Sequence, residues 1–466
     1  MEKKNSTKKL LHNKIKIPPK LPTSLAREIC DPLWKKIISA IENREVETIL
    51  DIVKSIGKCK GILCLPHPFL EGLDTFPIKN VRQGMCNYIF FRDSNNQNQW
   101  ILCQCTSFVD AIFSEKYSGK HKSSTNENVI LGSIHQIFKN DNKNDSKSCK
   151  IEKAIFSGYL LDQTRPYHHF YDQLKWLVHF QTEKPIVSNK SFFVPKTFRK
   201  GISSSKKKPT FAMFPVVIGS NQLGIKLDKY SDKMEKVVYK DSLKDLCGGA
   251  IHYRWWQAIN LFKRIPIKNK TLTLWFGISG QKRIWVEQED FLPTLVQQLT
   301  PWFESFTFLI DGYTQYEYSE DDTIKGSKSL GIDQDSEIVN SITQKLVPYQ
   351  NTSVVNLVGQ TYRQKIQQCQ SIDFFIANAG AGQLIPHRFC KKTGILHSNE
   401  KHCVFSMGIN NTTVKLVDKS LVHDVGNLFA KGKNKGGDIA GIGFISYSIE
   451  VQTIVEMVKD MLKIGD

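Results

Sequence analysis

The sequence predicts an α/β protein whose second half is built on a parallel sheet covered by helices on both faces. Two observations carry this. From Thr271 onward, short apolar runs alternate regularly with stretches of helical spacing, the pattern of strands joined by crossover helices. The runs read as continuously apolar rather than alternating, as strands buried on both faces do.

In chain order, Thr271 to Ile278 is a strand, and Glu287 to Phe303 is a helix through Phe291, Leu292, Leu295, Val296 and Leu299. Phe306 to Ile310 is a second strand ending at Asp311 and Gly312, and Ile338 to Leu346 is a helix. Val354 to Val358 is a third strand ending at Gly359, followed by a short helix from Tyr362 to Cys369. Asp373 to Ala377 is a fourth strand that runs into Asn378, Ala379, Gly380, Ala381 and Gly382, and Gly394 to His397 is a fifth. Ser448 to Leu462 closes the chain as a helix with Val451, Ile454, Val455, Val458 and Leu462 on one face. This is a Rossmann-like pattern, and such sheets bind ligands beyond the C-terminal strand ends. The rule selects Ser279–Arg283, Asp311–Thr314, Gly359–Arg363 and Asn378–His387, which are also rich in Gly and polar residues.

The first half is less regular. Residues 1–24 are Lys-rich with Pro18, Pro19 and Pro22 and read as a basic flexible arm. Ser24 to Ile56 has helical spacing, through Leu33, Trp34, Ile37, Ile38 and Ile41, then Val46, Ile49, Leu50 and Val53. Tyr88 to Phe91 and Trp100 to Leu102 read as strands flanking the polar turn Arg92 to Gln99. Residues 138–150 and 199–209 read as polar loops. The expected division is an arm at 1–24, a first domain at 25–265, a second, ligand-binding domain at 266–447 and a closing helix at 448–466.

With 466 residues, 40% hydrophobic and 23% charged, the chain is long and apolar enough for at least two globular domains. The formal charge of +19 draws polyanions, whether nucleic acid, anionic lipid or sugar diphosphates. Lys3, Lys4, Lys8, Lys9, Lys14 and Lys16, and later Lys206 to Lys208, form runs whose plain reading is a solvated basic surface. At an anionic membrane such lysines contribute about 1 kcal/mol each. The eleven cysteines are unpaired in spacing, with Cys103 and Cys105 the closest, and match no zinc pattern; reduced thiols in a cytosolic protein are expected. The sequence shows no signal peptide and no transmembrane run, so membrane contact is expected to be peripheral, at the inner face.

Four segments carry candidate chemistry. At Ile376 to His387 an apolar strand enters Asn378, Gly380, Ala381 and Gly382, where small residues admit a ligand to the backbone and a following helix favours phosphate. Gln383 and His387 are candidate donors there. The competing reading is a tight turn whose glycines serve packing alone. The Gly-Ala-Gly spacing departs from the dinucleotide pattern, and Pro386 would end a helix early, which disfavours a nicotinamide cofactor. At Ile278 to Arg283, Ser279 and Gly280 lead to Lys282 and Arg283, two cations suited to a diphosphate. Asp311, Gly359 and Arg363 lie at the other two strand ends. In the first half, His168 and Asp172 are four residues apart, on one face if the segment is helical, where a carboxylate can orient an imidazole acting as a general base; His169 adjoins them, and the competing reading is a His and an Asp at a helix start with the aromatics in the core. No Walker A sequence, Gly-x-Ser-x-Gly elbow or zinc-protease His-Glu pair is present, and no Asp-x-Asp closes a strand.

Two of these segments together resemble the two-Rossmann-domain (GT-B) glycosyltransferases of bacterial surface polysaccharides. They are most similar to the group whose animal and plant members transfer GlcNAc or xylose. The His-x-x-x-Asp stretch of that group corresponds to Tyr167, His168, His169, Phe170, Tyr171 and Asp172. Its later helix, strand and Gly-Ala-Gly motif correspond to Gln364–Cys369, Asp373–Ala377 and Gly380–Gly382. The resemblance spans roughly 155–400. It departs at Gln383, where the family carries an apolar residue, and at Pro386, His387 and Arg388.

The resemblance implies two Rossmann-like domains facing a cleft, with 25–265 on the acceptor side and 266–447 binding the nucleotide-sugar, and with a helical and strand extension at the N-terminus. It implies sugar transfer from a nucleotide-sugar to a glycan or lipid-linked acceptor, of capsule or lipopolysaccharide type, with no bound metal and no cofactor beyond the donor substrate. Nucleic acid is not the expected partner: the charge and the aromatics would suit a non-catalytic nucleic-acid binder, but no RNA- or DNA-binding motif appears. A non-catalytic glycan binder is the other alternative.

Overall fold

A computed structural model describes the chain except residues 1–14, 60–61, 85, 123, 125, 142–154, 162–164, 181–184, 188–189, 202–210, 215–227, 245–270, 320–328, 404–412, 429–443 and 465–466. The chain forms two compact units, Met1–Met234 and Glu235–Asp466. The division falls inside the helix Asp228–Leu243, ahead of the 265/266 boundary expected from the sequence.

The first unit begins with helices α1 (Leu25–Glu28), α2 (Pro32–Asn43) and α3 (Val46–Gly57). Asp31 starts α2, its carboxylate accepting from the backbone N–H of Leu33 (2.8 Å) and Trp34 (3.2 Å). Pro32 fits the first turn, where its missing N–H removes no bond. A meander follows: β1 (Leu65–Pro66), β2 (Asp74–Gln83), β3 (Cys86–Asp93), β4 (Gln99–Gln104), β5 (Ala111–Ser114) and β6 (Ser118–Lys120), antiparallel in sequence order. Its connections are too short for the crossover that a parallel pair needs. On one face Tyr88, Phe90, Ile101 and Phe113 pack with Ile130, Ile134 and Ile137 of α4 (Glu127–Asp141). On the other, Trp100 stacks on Phe91 at 4.1 Å and meets the edge of Trp34 at 5.2 Å.

Ile15 and Leu21 are buried in the α4-side core. The expected flexible arm is therefore corrected over 15–24: its apolar residues anchor it, and residues 1–14 lie outside the described part. Both lysine runs fall wholly or mostly outside it too, as do 142–150 and 202–209 of the expected loops. The segment 138–141 belongs to α4.

Past the meander, β7 (Gly158–Leu161), β8 (Pro185–Val187) and β9 (Ala212–Met213) make a small parallel sheet with β7 in the centre. Between β7 and β8 run α5 (Pro166–His168), a π-helical turn (His169–Leu174) and α6 (Lys175–Phe180). Parallel pairing in the described part of the first unit is confined to these three strands. The expectation of a Rossmann-like first domain is thus corrected for the meander, whose hairpins impose antiparallel order.

The second unit follows α7 (Asp228–Leu243) and carries six parallel strands. They are β10 (Thr271–Gly277), β11 (Ser305–Asp311), β12 (Thr352–Asn356), β13 (Phe374–Asn378), β14 (Gly394–His397) and β15 (Val414–Leu416). Their spatial order is β12-β11-β10-β13-β14-β15. The chain moves outward from β10, returns to its other side at β13, and moves outward again. That reversal puts a topological switch point between the C-terminal ends of β10 and β13.

Both faces of the sheet are covered, since Leu274, Trp275 and Phe276 are all buried. Leu272, Leu274 and Phe276 share a core with Phe291 and Leu295 of α8 (Gln288–Leu299), Val339 and Ile342 of α9 (Ser329–Leu346), and Ile454 and Val455 of α12 (Val451–Leu462). The terminal helix, expected as a separate closing segment, is part of this core. Helix α10 (Tyr362–Gln368) starts with a reciprocal cap between Thr361 and Gln364. A short α11 (Glu400–Cys403) follows β14, and β16 (His423–Gly426) pairs antiparallel with β17 (Ser446–Ser448).

Candidate functional site

The corner after β10 is fixed by its main chain. The Ile278 N–H donates to the Asp311 carbonyl (2.7 Å), Ser279 N–H to Gln288 Oε1 (3.1 Å) and Gly280 N–H to Asp335 Oδ1 (2.8 Å). Ser279 Oγ donates to the Lys282 carbonyl at 2.7 Å, which closes the turn. Arg283 then takes a left-handed conformation, φ 51°, which a non-glycine residue adopts only at some cost. This conformation leads its side chain across the switch point. The guanidinium lies against Gly380, where an added Cβ would stand 2.2 Å from Nη2 and 2.8 Å from Cζ.

Arg283 makes no ion pair or hydrogen bond among the described residues, and its Nε is buried without a partner. Burial lowers its pKa, but an arginine stays charged at any physiological pH. A half-buried cation that meets no anion among the described residues therefore sits where a doubly wound sheet places its ligand. Lys282 extends from the same corner, its Nζ 4.8 Å from the centre of the Phe444 ring.

The facing corner is held by a side-chain chain. Asn378 Oδ1 accepts from Gly380 N–H (2.9 Å), and Asn378 Nδ2 donates to Tyr447 Oη (3.2 Å). Tyr447 Oη is hydrogen-bonded to His397 Nδ1 at 2.7 Å, and burial holds the His397 imidazole neutral, lowering its pKa to about 3. His397 Nε2 is buried without a partner among the described residues. His402 is also kept neutral, at about 4, by burial and then by the Arg283 charge. Tyr447 and Asp335 were not legible as site residues: one lies on a short strand far along the chain, the other on a polar helix with no motif.

The remaining sequence candidates divide. Ala381, Gly382 and Gln383 form a single 3₁₀ turn after Gly380, and a π-helical turn, Leu384–Phe389, takes in Pro386. An α-helical N-terminus was expected there; Pro386 lacks the N–H that an α-helix would use. Gly382 has room for a side chain, its nearest neighbour being Asn378 Cβ at 3.6 Å. Gln383 and His387 turn inward: His387 Nδ1 meets Gln383 Oε1 at 2.9 Å, the ring stacks on Phe375, and burial lowers its pKa to about 3. Asp311 is consumed by the fully buried Lys365, whose Nζ donates to Asp311 Oδ1 (2.6 Å), the carbonyls of Gly312 and Tyr313, and Thr314 Oγ1. Arg363 is held by Glu317 (2.6 Å) and Asp241 (2.9 Å). Gly359, at φ 79°, follows β12, three strands from β13 and so roughly 14 Å away across the sheet. The site narrows to the corners carrying Ser279, Gly280, Lys282 and Arg283 on one side and Asn378 and Gly380 on the other.

In the first unit, His168 Nδ1 is bonded to Asp172 Oδ2, with the His168 side chain 39% exposed and that of Asp172 6%. The carboxylate thus anchors one ring nitrogen of a partly exposed imidazole, an arrangement compatible with a general base. His169 points the other way, fully buried, with Nε2 at 2.9 Å from the Phe193 carbonyl and its pKa lowered by burial to about 4. It holds structure rather than substrate.

The chain matches no family model and no curated protein. Among the described residues, no helix is long and apolar enough to cross a membrane, and no group of three or more His, Cys, Asp or Glu is placed to hold a metal ion.

Proposed function

We propose that the second unit binds the diphosphate of a nucleotide-sugar and that the chain is a glycosyltransferase. The observation that carries this is the Arg283 guanidinium, without an ion pair among the described residues and lying on Gly380 at the switch point. A buried cation costs free energy until an anion joins it, and a planar guanidinium fits two phosphate oxygens at once. Gly380, without a side chain, lets a phosphate approach the backbone, and Lys282 supplies a second charge from the rim. In sugar transfer, negative charge grows on the departing diphosphate, so a fixed cation there lowers the barrier.

His168, oriented by Asp172, accepts the proton of the attacking acceptor hydroxyl in this reading. The acceptor is a surface glycan, free or lipid-linked, and the +19 formal charge favours an anionic membrane face. Thermal shift with UDP, GDP, CDP and ADP and their sugar conjugates tests the proposal. At least one should raise the melting temperature, by about 2.7 kcal/mol of stabilisation at a hundredfold excess over Kd, and Arg283→Met should abolish the response. No response to any of them rejects the reading.

A further inference from the structure

We infer that Asp335 is the positioning residue of this anion site: one carboxylate on α9 sets the corner that aims Arg283. The inference rests on the reading of that corner as the anion site. Asp335 is buried, and its two oxygens take one backbone N–H each, Oδ1 from Gly280 at 2.8 Å and Oδ2 from Tyr313 at 2.6 Å. It thereby ties the corner after β10 to the corner after β11. The fit is close. A Cβ at Gly280 would fall 2.9 Å from Oδ1, and one at Gly312 would fall 2.6 Å from Oδ2. Only glycine at these two positions lets both corners close on the carboxylate. Gly280 begins the tight turn that ends in left-handed Arg283, so displacing Gly280 displaces the guanidinium.

Among the described residues, the charged and titratable groups around Asp335 are Lys365 of α10, Asp311 at the end of β11 and Tyr313 of the second corner. Lys365 is engaged with Asp311 at 2.6 Å and makes no ion pair with Asp335. The carboxylate is therefore held chiefly by two main-chain donors, and burial pushes its pKa up from 3.8 to about 6. The ionised form accepts both N–H groups. The protonated form gives up one acceptor, because one oxygen then carries the proton. The corner is clamped above about pH 6 and loosened below it. Global stability moves the opposite way: the folded pKa lies above the unfolded one, so this group favours folding more as pH falls from about 6 toward 4.

The test uses the full chain and two readouts. Hydrogen exchange at Gly280 and Tyr313, corrected for the intrinsic pH effect, should show protection that falls with a midpoint near pH 6 in the wild type. In Asp335→Asn it should be low and without a step. Affinity for inorganic pyrophosphate should drop about tenfold or more between pH 7 and pH 5 in the wild type beyond the drop seen in Asp335→Asn, which reports the titration of pyrophosphate itself; the variant should bind weakly and show only that smaller change. Arg283→Met should keep the protection step and lose binding at every pH. Protection without a pH step, or a pyrophosphate profile unchanged in Asp335→Asn, overturns the inference alone. A protection step with no pyrophosphate bound at any pH overturns the anion reading, and with it the role assigned to Asp335.

Discussion

Gly380→Ala tests whether the guanidinium over that residue is the ligand-binding element. The new methyl group would lie 2.2 Å from Arg283 Nη2, and ordinary contact begins at 3.4 Å, so the guanidinium must retreat by about 1.2 Å. The group that moves is the end of a flexible side chain, so folding should lose only about 1 kcal/mol or less. Binding loses more. A charge-assisted hydrogen bond contributes about 1.5–3 kcal/mol, and a shift of this size breaks at least one. The Kd for the nucleoside diphosphate giving the largest thermal shift should therefore rise by about 10- to 150-fold, measured by calorimetry, while the apo melting temperature stays nearly constant. Wild-type affinity in Gly380→Ala, or a loss that merely follows unfolding, would refute the reasoning.

Four further outcomes follow from particular contacts. Gly394→Ala should be far more damaging to folding than Gly380→Ala, because its Cβ would stand 2.1 Å from the Phe375 carbonyl oxygen in the neighbouring strand; denaturant melts should show a loss of about 3 kcal/mol or more. Lys365→Met strands the buried Asp311 carboxylate, and should cost about 3–5 kcal/mol in the same assay. Lys175 is fully buried, its Nζ has no hydrogen-bond partner among the described residues, and burial lowers its pKa to about 7. Its folded pKa lies below the unfolded one, so its cost is greatest below pH 7 and fades toward pH 10; Lys175→Met should stabilise the protein by up to a few kcal/mol at pH 6 and hardly at all at pH 10. For the proposed transfer, His168→Ala and Asp172→Asn should each reduce kcat about 10²- to 10⁴-fold with little change in donor affinity. Unchanged turnover in both removes the pair from the mechanism.

Much of the second unit was legible because its code is local. The runs around Leu274, Phe308, Phe374 and Ile395 each announce a buried strand, and Gly or polar residues mark where each one ends. Five of the six parallel strands were placed within two residues. The short β15 was missed, since three residues carry too little periodicity. Helix α9 begins at Ser329 rather than Ile338, because its first turns are polar and show no apolar stripe. In the first unit the strands at 88 and 100 were also visible.

The sequence by itself determined that Thr271 to the terminus would alternate strand and helix, that small or cationic residues would stand at the strand ends, and that His168 and Asp172 would share a helical face. Local spacing suffices for these because a helix or strand brings together residues only a few positions apart. Which strand end faces which was decided by the tertiary structure. Strand order alone brings Arg283 onto Gly380, ninety-seven positions along the chain, and leaves Gly359 at the far side. Burial alone turns Gln383, His387, Asp311 and Arg363 to internal partners, because a buried polar group must find its hydrogen bond in whatever the fold brings near.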